Sequence, residues 1–249
     1  MKFVSLTLCM SSMMGCLLEP SEQLDGDELA MDEQAIIGGT TDSGVSCVVK
    51  LVIPLAIGSE NGMVCTGTVI GPRTVLTAAH CLDPALVGLL PLVTISNGTL
   101  LPLPIVTTSA TYDPAFDPEF PYDGHDLGFI HTLLPLPYPT CGLGVADPYQ
   151  PVRLVGYGAS THTGYGAGVK RQVSTWINGM NSIIFNAGGT NAQACRGDWG
   201  GPALQTVNGK DVVVGTASFA DSYGPSEMCY GSYYNRMDAY ATYINSHTY

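Results

Sequence analysis

The chain has 249 residues, of which 12% are charged, with 30 glycines and 17 prolines. That mix suits one large or two small hydrophobic cores of turn-rich β-structure and argues against a helical bundle. A formal net charge of −12 argues against nucleic acid or an anionic membrane surface as the main partner. No segment reaches the roughly eighteen unbroken apolar residues of a transmembrane helix.

In chain order, Lys2, a largely apolar run from Phe3 to Met14, and Gly15-Cys16 predict an export signal over residues 1–15. Met13-Met14-Gly15-Cys16 resembles a bacterial lipoprotein signal, with Cys16 as the lipidated first residue and a membrane tether as the consequence. Plain secretion is the alternative. Residues 16–35 hold Glu19, Glu22, Asp25, Asp27, Glu28, Asp32 and Glu33 and no Lys or Arg. An acidic, disordered leader or propeptide is expected there. Removing Cys9 with the signal and committing Cys16 to lipid leaves six of the 8 cysteines, an even set that suits an oxidising compartment.

From Ile36 onward the pattern is short β-type runs separated by turn residues. Strands are predicted over Val48–Ile53, Val75–Ala78, Leu92–Ser96, Leu127–His131, Val152–Tyr157, Val173–Ile177, Ile183–Asn186 and Val212–Phe219. Asn208-Gly209 predicts a hairpin turn. Only Arg236–Ser246 reads as helix, with Met237, Tyr240, Ala241 and Ile244 on one face. Many short strands predict a barrel or a sandwich, an all-β fold that pattern alone does not narrow further.

Three segments carry chemistry. In Val75-Leu-Thr-Ala-Ala-His80-Cys81, a histidine follows a small-residue strand end beside a cysteine. Asp126 opens the apolar strand Asp126-Leu-Gly-Phe-Ile; a buried carboxylate there can fix the tautomer of an imidazole. Ala194-Cys195-Arg196-Gly197-Asp198-Trp199-Gly200-Gly201-Pro202 is a glycine loop whose N–H groups can converge on an oxyanion.

Together with Ile36-Ile37-Gly38-Gly39, these motifs stand in the order of the trypsin/chymotrypsin family of serine peptidases, which residues 36–249 resemble throughout. The resemblance implies two packed six-stranded antiparallel barrels with a C-terminal helix and the site between them. It implies His80 as general base and Asp126 as its orienting partner. Gly197 and residue 199 would form the oxyanion hole, and Ile36, freed by cleavage behind Ala35, would pair with Asp198. Gln193 would be the floor of the specificity pocket, with Ser218, Phe219, Ala220 and Ser232 along its walls; a neutral Gln193 implies an uncharged ligand side chain. Disulfides Cys65–Cys81 and Cys195–Cys229 follow from the same resemblance, leaving Cys47 with Cys141.

The family's loop reads G-D-S-G-G-P, and this chain reads G-D-W-G-G-P. An indole has no hydroxyl and donates only, so no acyl-enzyme forms through Trp199. Ser174, Ser182 and Ser218 lie outside the glycine loop and are not expected to replace it. The chain is therefore expected to be a pseudoprotease that binds a protein or peptide in its cleft, as a monomer and without metal or cofactor. One alternative is an active endopeptidase in which position 199 carries a recent single-base change or a sequencing error. Another is a purely structural surface lipoprotein. His125 is expected in an exposed loop, and His131, His162 and His247 on the surface. Asp113, Asp117, Glu119 and Asp123 lack the spacing of a calcium loop and are expected to be solvated. Asn97-Gly98-Thr99 is expected as a turn.

Overall fold

The computed structural model describes residues 36–54, 62–83, 93–97, 105–161, 166–189, 191–223 and 228–249. The expected signal, the acidic leader with Cys16, His162 and most of the Asn97-Gly98-Thr99 turn lie outside the described residues.

Described strands, in chain order, are β1 (Thr40–Thr41), β2 (Val48–Pro54), β3 (Gly62–Gly71), β4 (Thr74–Thr77), β5 (Thr94–Ser96), β6 (Thr107–Tyr112), β7 (Gly128–Thr132), β8 (Gly142–Leu143), β9 (Val152–Gly156), β10 (Arg171–Thr175), β11 (Ile177–Met180), β12 (Ile184–Ala187), β13 (Pro202–Val207), β14 (Lys210–Tyr223) and β15 (Met228–Arg236). Six of them form a sheet in the order β5-β2-β3-β4-β7-β6, and nine form a second, β1-β10-β9-β13-β14-β15-β12-β11, with β8 beside β14. All pairings are antiparallel except β8–β14. The architecture is the expected all-β pair of curled half-barrels. The second sheet exceeds six strands because the two-residue β1 and β8 and the short β11 add to it.

Val, Ile and Leu from strands of the first sheet pack into one core, which also takes in Val155, Leu204 and Val213 from the second sheet and Tyr157 just after β9. A second core gathers Ile36, Leu154, Phe185, Val214 and Tyr234. Trp199 packs against both, so its side chain sits on the seam between the barrels. Asn208-Gly209 makes the expected hairpin between β13 and β14, with φ of 51° and 74°. Both central residues are left-handed, as a tight hairpin turn demands.

The helix is shorter than its apolar face implies. Strand pairing holds the chain as far as Arg236, opposite Gly215, so Met237 and Tyr240 are buried in a turn and only Ala241–Ser246 (α1) is helical. Burial overturns two surface expectations. His131 is 6% exposed, since β7 lies inside its sheet and the C-terminal segment covers it. The ring lies 4.8 Å from Tyr249, and Nε2 bonds the His247 carbonyl at 2.9 Å. Asp113 is buried too, 2.8 Å from His125 Nδ1; Asp117, Glu119 and Asp123 are exposed as expected.

Three disulfides, Cys65–Cys81, Cys195–Cys229 and Cys47–Cys141, close as expected.

Candidate active site

His80 sits in a single 3₁₀ turn, Ala79–Cys81, directly after β4. The turn is held at both ends: β4 pairs with β3 and β7, and Cys81 is tied to Cys65 in β3. Asp126 precedes β7. Its Oδ1 accepts the His80 backbone N–H at 2.9 Å, and its Oδ2 lies 2.8 Å from His80 Nδ1. The Ser218 hydroxyl donates to Oδ2 at 2.5 Å. Asn235 Nδ2 donates to the Asp126 backbone carbonyl at 3.0 Å.

These bonds fix more than a distance. Asp126 is 1% exposed, and a buried carboxylate without donors would be costly. Three donors hold it, so the His80 ring keeps Nδ1 as the protonated nitrogen and Nε2 as the acceptor. Burial lowers the basicity of His80, but the charge and hydrogen bond of Asp126 outweigh it, and the pKa ends above its usual 6.5. A ring oriented in this way can take a proton at Nε2 and hold the resulting charge against Asp126.

The facing wall is the glycine loop. Gly197 has φ of +92° and Gly200 +81°. A Cβ on Gly200 would fall 2.1 Å from Thr77 Oγ1 and 2.4 Å from the Thr66 carbonyl, so the loop lies tight against β3 and β4. The Trp199 carbonyl accepts the Thr66 N–H at 2.9 Å, the Gly200 N–H donates to Ala217 at 2.7 Å, and Thr66 Oγ1 donates to the Gly197 carbonyl at 2.9 Å. Among the described residues, nothing engages the N–H of Gly197 or of Trp199. The Trp199 indole points into the cleft, its ring centroid 6.4 Å from that of His80 at 73°. His80, Phe116, Pro118, Pro121, Asp126, Trp199, Ser218, Phe219 and Ala220 together line a cleft of about 330 Å³.

A sequence model of the trypsin family matches residues 36–244. The chain belongs to the trypsin family. Its similarity to chymotrypsin-like elastase family member 1 extends over 238 residues at 25% identity for the Bos taurus protein, covering 85% of this chain and 88% of that one. The Canis lupus familiaris protein is likewise 25% identical, with 85% and 91% covered. The Homo sapiens protein is 23% identical over 237 residues, again with 85% and 91% covered.

On this family frame the remaining expected site residues divide into two groups. Phe219 and Ala220 line the cleft beside Trp199. Gln193 and Ser232 do not line it and are fully buried. The Gln193 amide is spent within the fold, since Nε2 donates to the Cys229 carbonyl and Oε1 accepts the Gly231 N–H at 2.6 Å. Ser232 donates to the Ala194 carbonyl at 3.0 Å. Ser218 lines the cleft as well, and its hydroxyl serves Asp126. No local sequence signal marks it as a partner of an acid 92 residues away.

Ile36 is fully buried, and Ile37 forms an isolated antiparallel bridge with Gln193. Asp198, 1% exposed, accepts the Cys195 N–H at 2.9 Å and the Gly158 N–H at 2.7 Å. Among the described residues it has no cationic partner. Burial pushes its carboxyl up to about 7 despite those two bonds. Cys65, His80 and Cys81 place donor atoms within 4.8 Å of one another, but both sulfurs are joined in a disulfide, so they cannot serve as thiolate ligands.

Proposed function

We propose that this chain is an exported trypsin-family protein that binds a protein or peptide in its cleft and does not cleave it. The observation that carries the reading is Trp199. It stands in G-D-W-G-G-P where the family's nucleophilic serine is expected, and its indole faces His80 in the cleft. The base and its orienting acid are in place, but the neighbouring side chain has no atom that can give up a proton and attack a carbonyl. The indole also takes up space beside His80 that a substrate carbonyl would need. His80 and Asp126 are assigned as base and orienter, and Gly197 and Trp199 as N–H donors.

A fluorophosphonate probe tests this. It is expected to label a Trp199→Ser variant and to leave the natural chain unlabelled; labelling of the natural chain overturns the reading. The rival reading, an active endopeptidase with an altered codon 199, draws support from the intact His80–Asp126 pair and the tight glycine loop. Resequencing that codon separates the two.

Three disulfides suit folding in an oxidising compartment. We assign residues 1–15 as an export signal, residues 16–35 as a leader and Cys16 as a lipid anchor. Cleavage behind Ala35 would then free the Ile36 ammonium to pair with Asp198 and detach residues 36–249 from the membrane in one step. Co-sedimentation of intact and Ile36-cleaved forms with membranes would contradict this.

A further inference from the structure

The cleft ends in a cluster that the family motifs do not include. Beyond Phe219, the face of the β14–β15 hairpin carries Asp221 two residues along the strand and Tyr233 opposite Phe219. Phe219 and Tyr233 stack with centroids 4.5 Å apart at 6°. Tyr122, from the loop of the first barrel that also supplies Pro118 and Pro121 to the cleft wall, lies edge-on to both, 4.7 Å from Phe219 and 5.2 Å from Tyr233. Its hydroxyl donates to Asp221 Oδ1 at 2.5 Å, and the Tyr233 hydroxyl donates to Oδ2 at 3.0 Å. One carboxylate thus ties two phenols from opposite sides of the cleft. The Asp221 hydrogen bond pushes the Tyr122 phenol up to about 12, so the donor stays protonated across the physiological range.

We propose that Tyr122, Asp221 and Tyr233 form a stop that closes the groove beyond Phe219, so that the cleft holds a short uncharged apolar peptide segment and gives the further residues of a longer one no contact. This rests on the cleft-binding reading above. The length limit follows from position, because the Tyr122 ring covers the hairpin face along which a longer peptide would continue. The polarity follows from the lining. Phe116, Pro118, Pro121, Trp199 and Phe219 are apolar or aromatic, and the ionisable pair His80 and Asp126 is already mutually satisfied. A charged occupant would lose water and gain no counter-charge.

The chain has 2 tryptophans, so a Trp176→Phe background leaves Trp199 as the sole indole reporter. A capped Ala-Pro dipeptide and a capped hexapeptide repeating it are titrated against its fluorescence. With the stop intact, both peptides are expected to bind equally. Tyr122→Ala and Asp221→Asn are expected to strengthen hexapeptide binding by roughly fivefold or more and to leave the dipeptide unchanged. Tyr122→Phe, which keeps the ring and drops only the hydroxyl, is expected to give a smaller gain in the same direction and covers the case in which the alanine variant fails to fold. If the parent already prefers the hexapeptide, or if no variant gains while the dipeptide binds, the stop is wrong and cleft binding stands. If neither peptide binds to the parent or to any variant, the cleft-binding reading fails and the stop fails with it.

Discussion

The two walls of the cleft are built on different principles. On the first-barrel side, function-bearing atoms are side-chain atoms, and each is held by another: Asp126 takes bonds from His80 and Ser218, and its own backbone carbonyl is bonded by Asn235. On the second-barrel side, the loop's shape is made by backbone. The Trp199 carbonyl and the Gly200 N–H bond to β3 and β14, Asp198 caps two N–H groups, and Cys195 is clamped to Cys229. Residue 199 contributes its peptide group to the loop and its side chain to the cleft. An indole is therefore compatible with an intact loop, whereas a change at Asp126 would strip the histidine corner of its support. A side chain on the backbone-built wall can change without loss of fold.

The largest test of that contrast is Trp199→Ser. After cleavage behind Ala35, the variant is expected to exceed the natural chain in peptidase activity by roughly 10³-fold or more, the scale set by a missing nucleophile. No gain would mean that the backbone-built wall has lost more than a hydroxyl.

Next is Asp198 in the uncleaved chain. Its folded pKa of about 7 lies above the ordinary value of 3.8, so the native state holds this proton more tightly than the unfolded state. The corresponding stability is full below the ordinary value and is lost as pH rises towards and through 7, by on the order of 4 kcal/mol in all. Denaturant unfolding of the natural chain and of Asp198→Asn at successive pH values should show that slope in their difference. A flat difference profile refutes it.

Opening the Cys195–Cys229 clamp by a double alanine substitution is expected to cost roughly 2–4 kcal/mol. Hydrogen exchange should place the loosening in the loop around Gly197 and leave the His80 turn protected; equal loosening of both walls would erase the contrast. Gln193→Ala, which orphans the Gly231 N–H and the Cys229 carbonyl, should cost roughly 1–3 kcal/mol, read as a lower denaturation midpoint.

The smallest effect is a titration. Asp126→Asn is expected to lower the His80 pKa, followed by the ring signals in NMR. In the natural chain that pKa is raised, so the pair's contribution to stability is full below 6.5 and fades as pH rises through the folded value. An unchanged His80 titration in the variant would remove Asp126 as the cause.

Legibility followed composition. The Val- and Ile-rich strands β2, β4, β7 and β9 were read within a residue or two. β3 is interrupted by Gly62, Gly67 and Gly71, β6 is a mostly exposed run of Thr, Ser and Ala with no apolar alternation, and β13 opens on Pro202, so the pattern predicts none of the three. Their pairing is supplied by neighbours, since β3 lies between β2 and β4 and β13 between β9 and β14. β15 is not predicted because Gly231 and Asn235 interrupt its pattern, and its last residue, Arg236, falls in the expected helix. The glycine loop was legible because its residues are contiguous. The pairing of His80 with Asp126, 46 residues apart, was legible only through the order of motifs shared with the family.

The sequence by itself determined the strand-rich class, the hairpin at Asn208-Gly209, the glycine loop and a tryptophan, which carries no hydroxyl, at position 199. These are local: each depends on residue type and near neighbours. Only the tertiary structure decided that Ser218 serves Asp126, that Gln193 spends its amide on Cys229 and Gly231, that His131 is buried, and that Tyr122 crosses the cleft to Asp221. Each joins residues at least 20 positions apart. A polar side chain's role depends on which donors and acceptors burial brings to it, and burial is set by how the sheets pack.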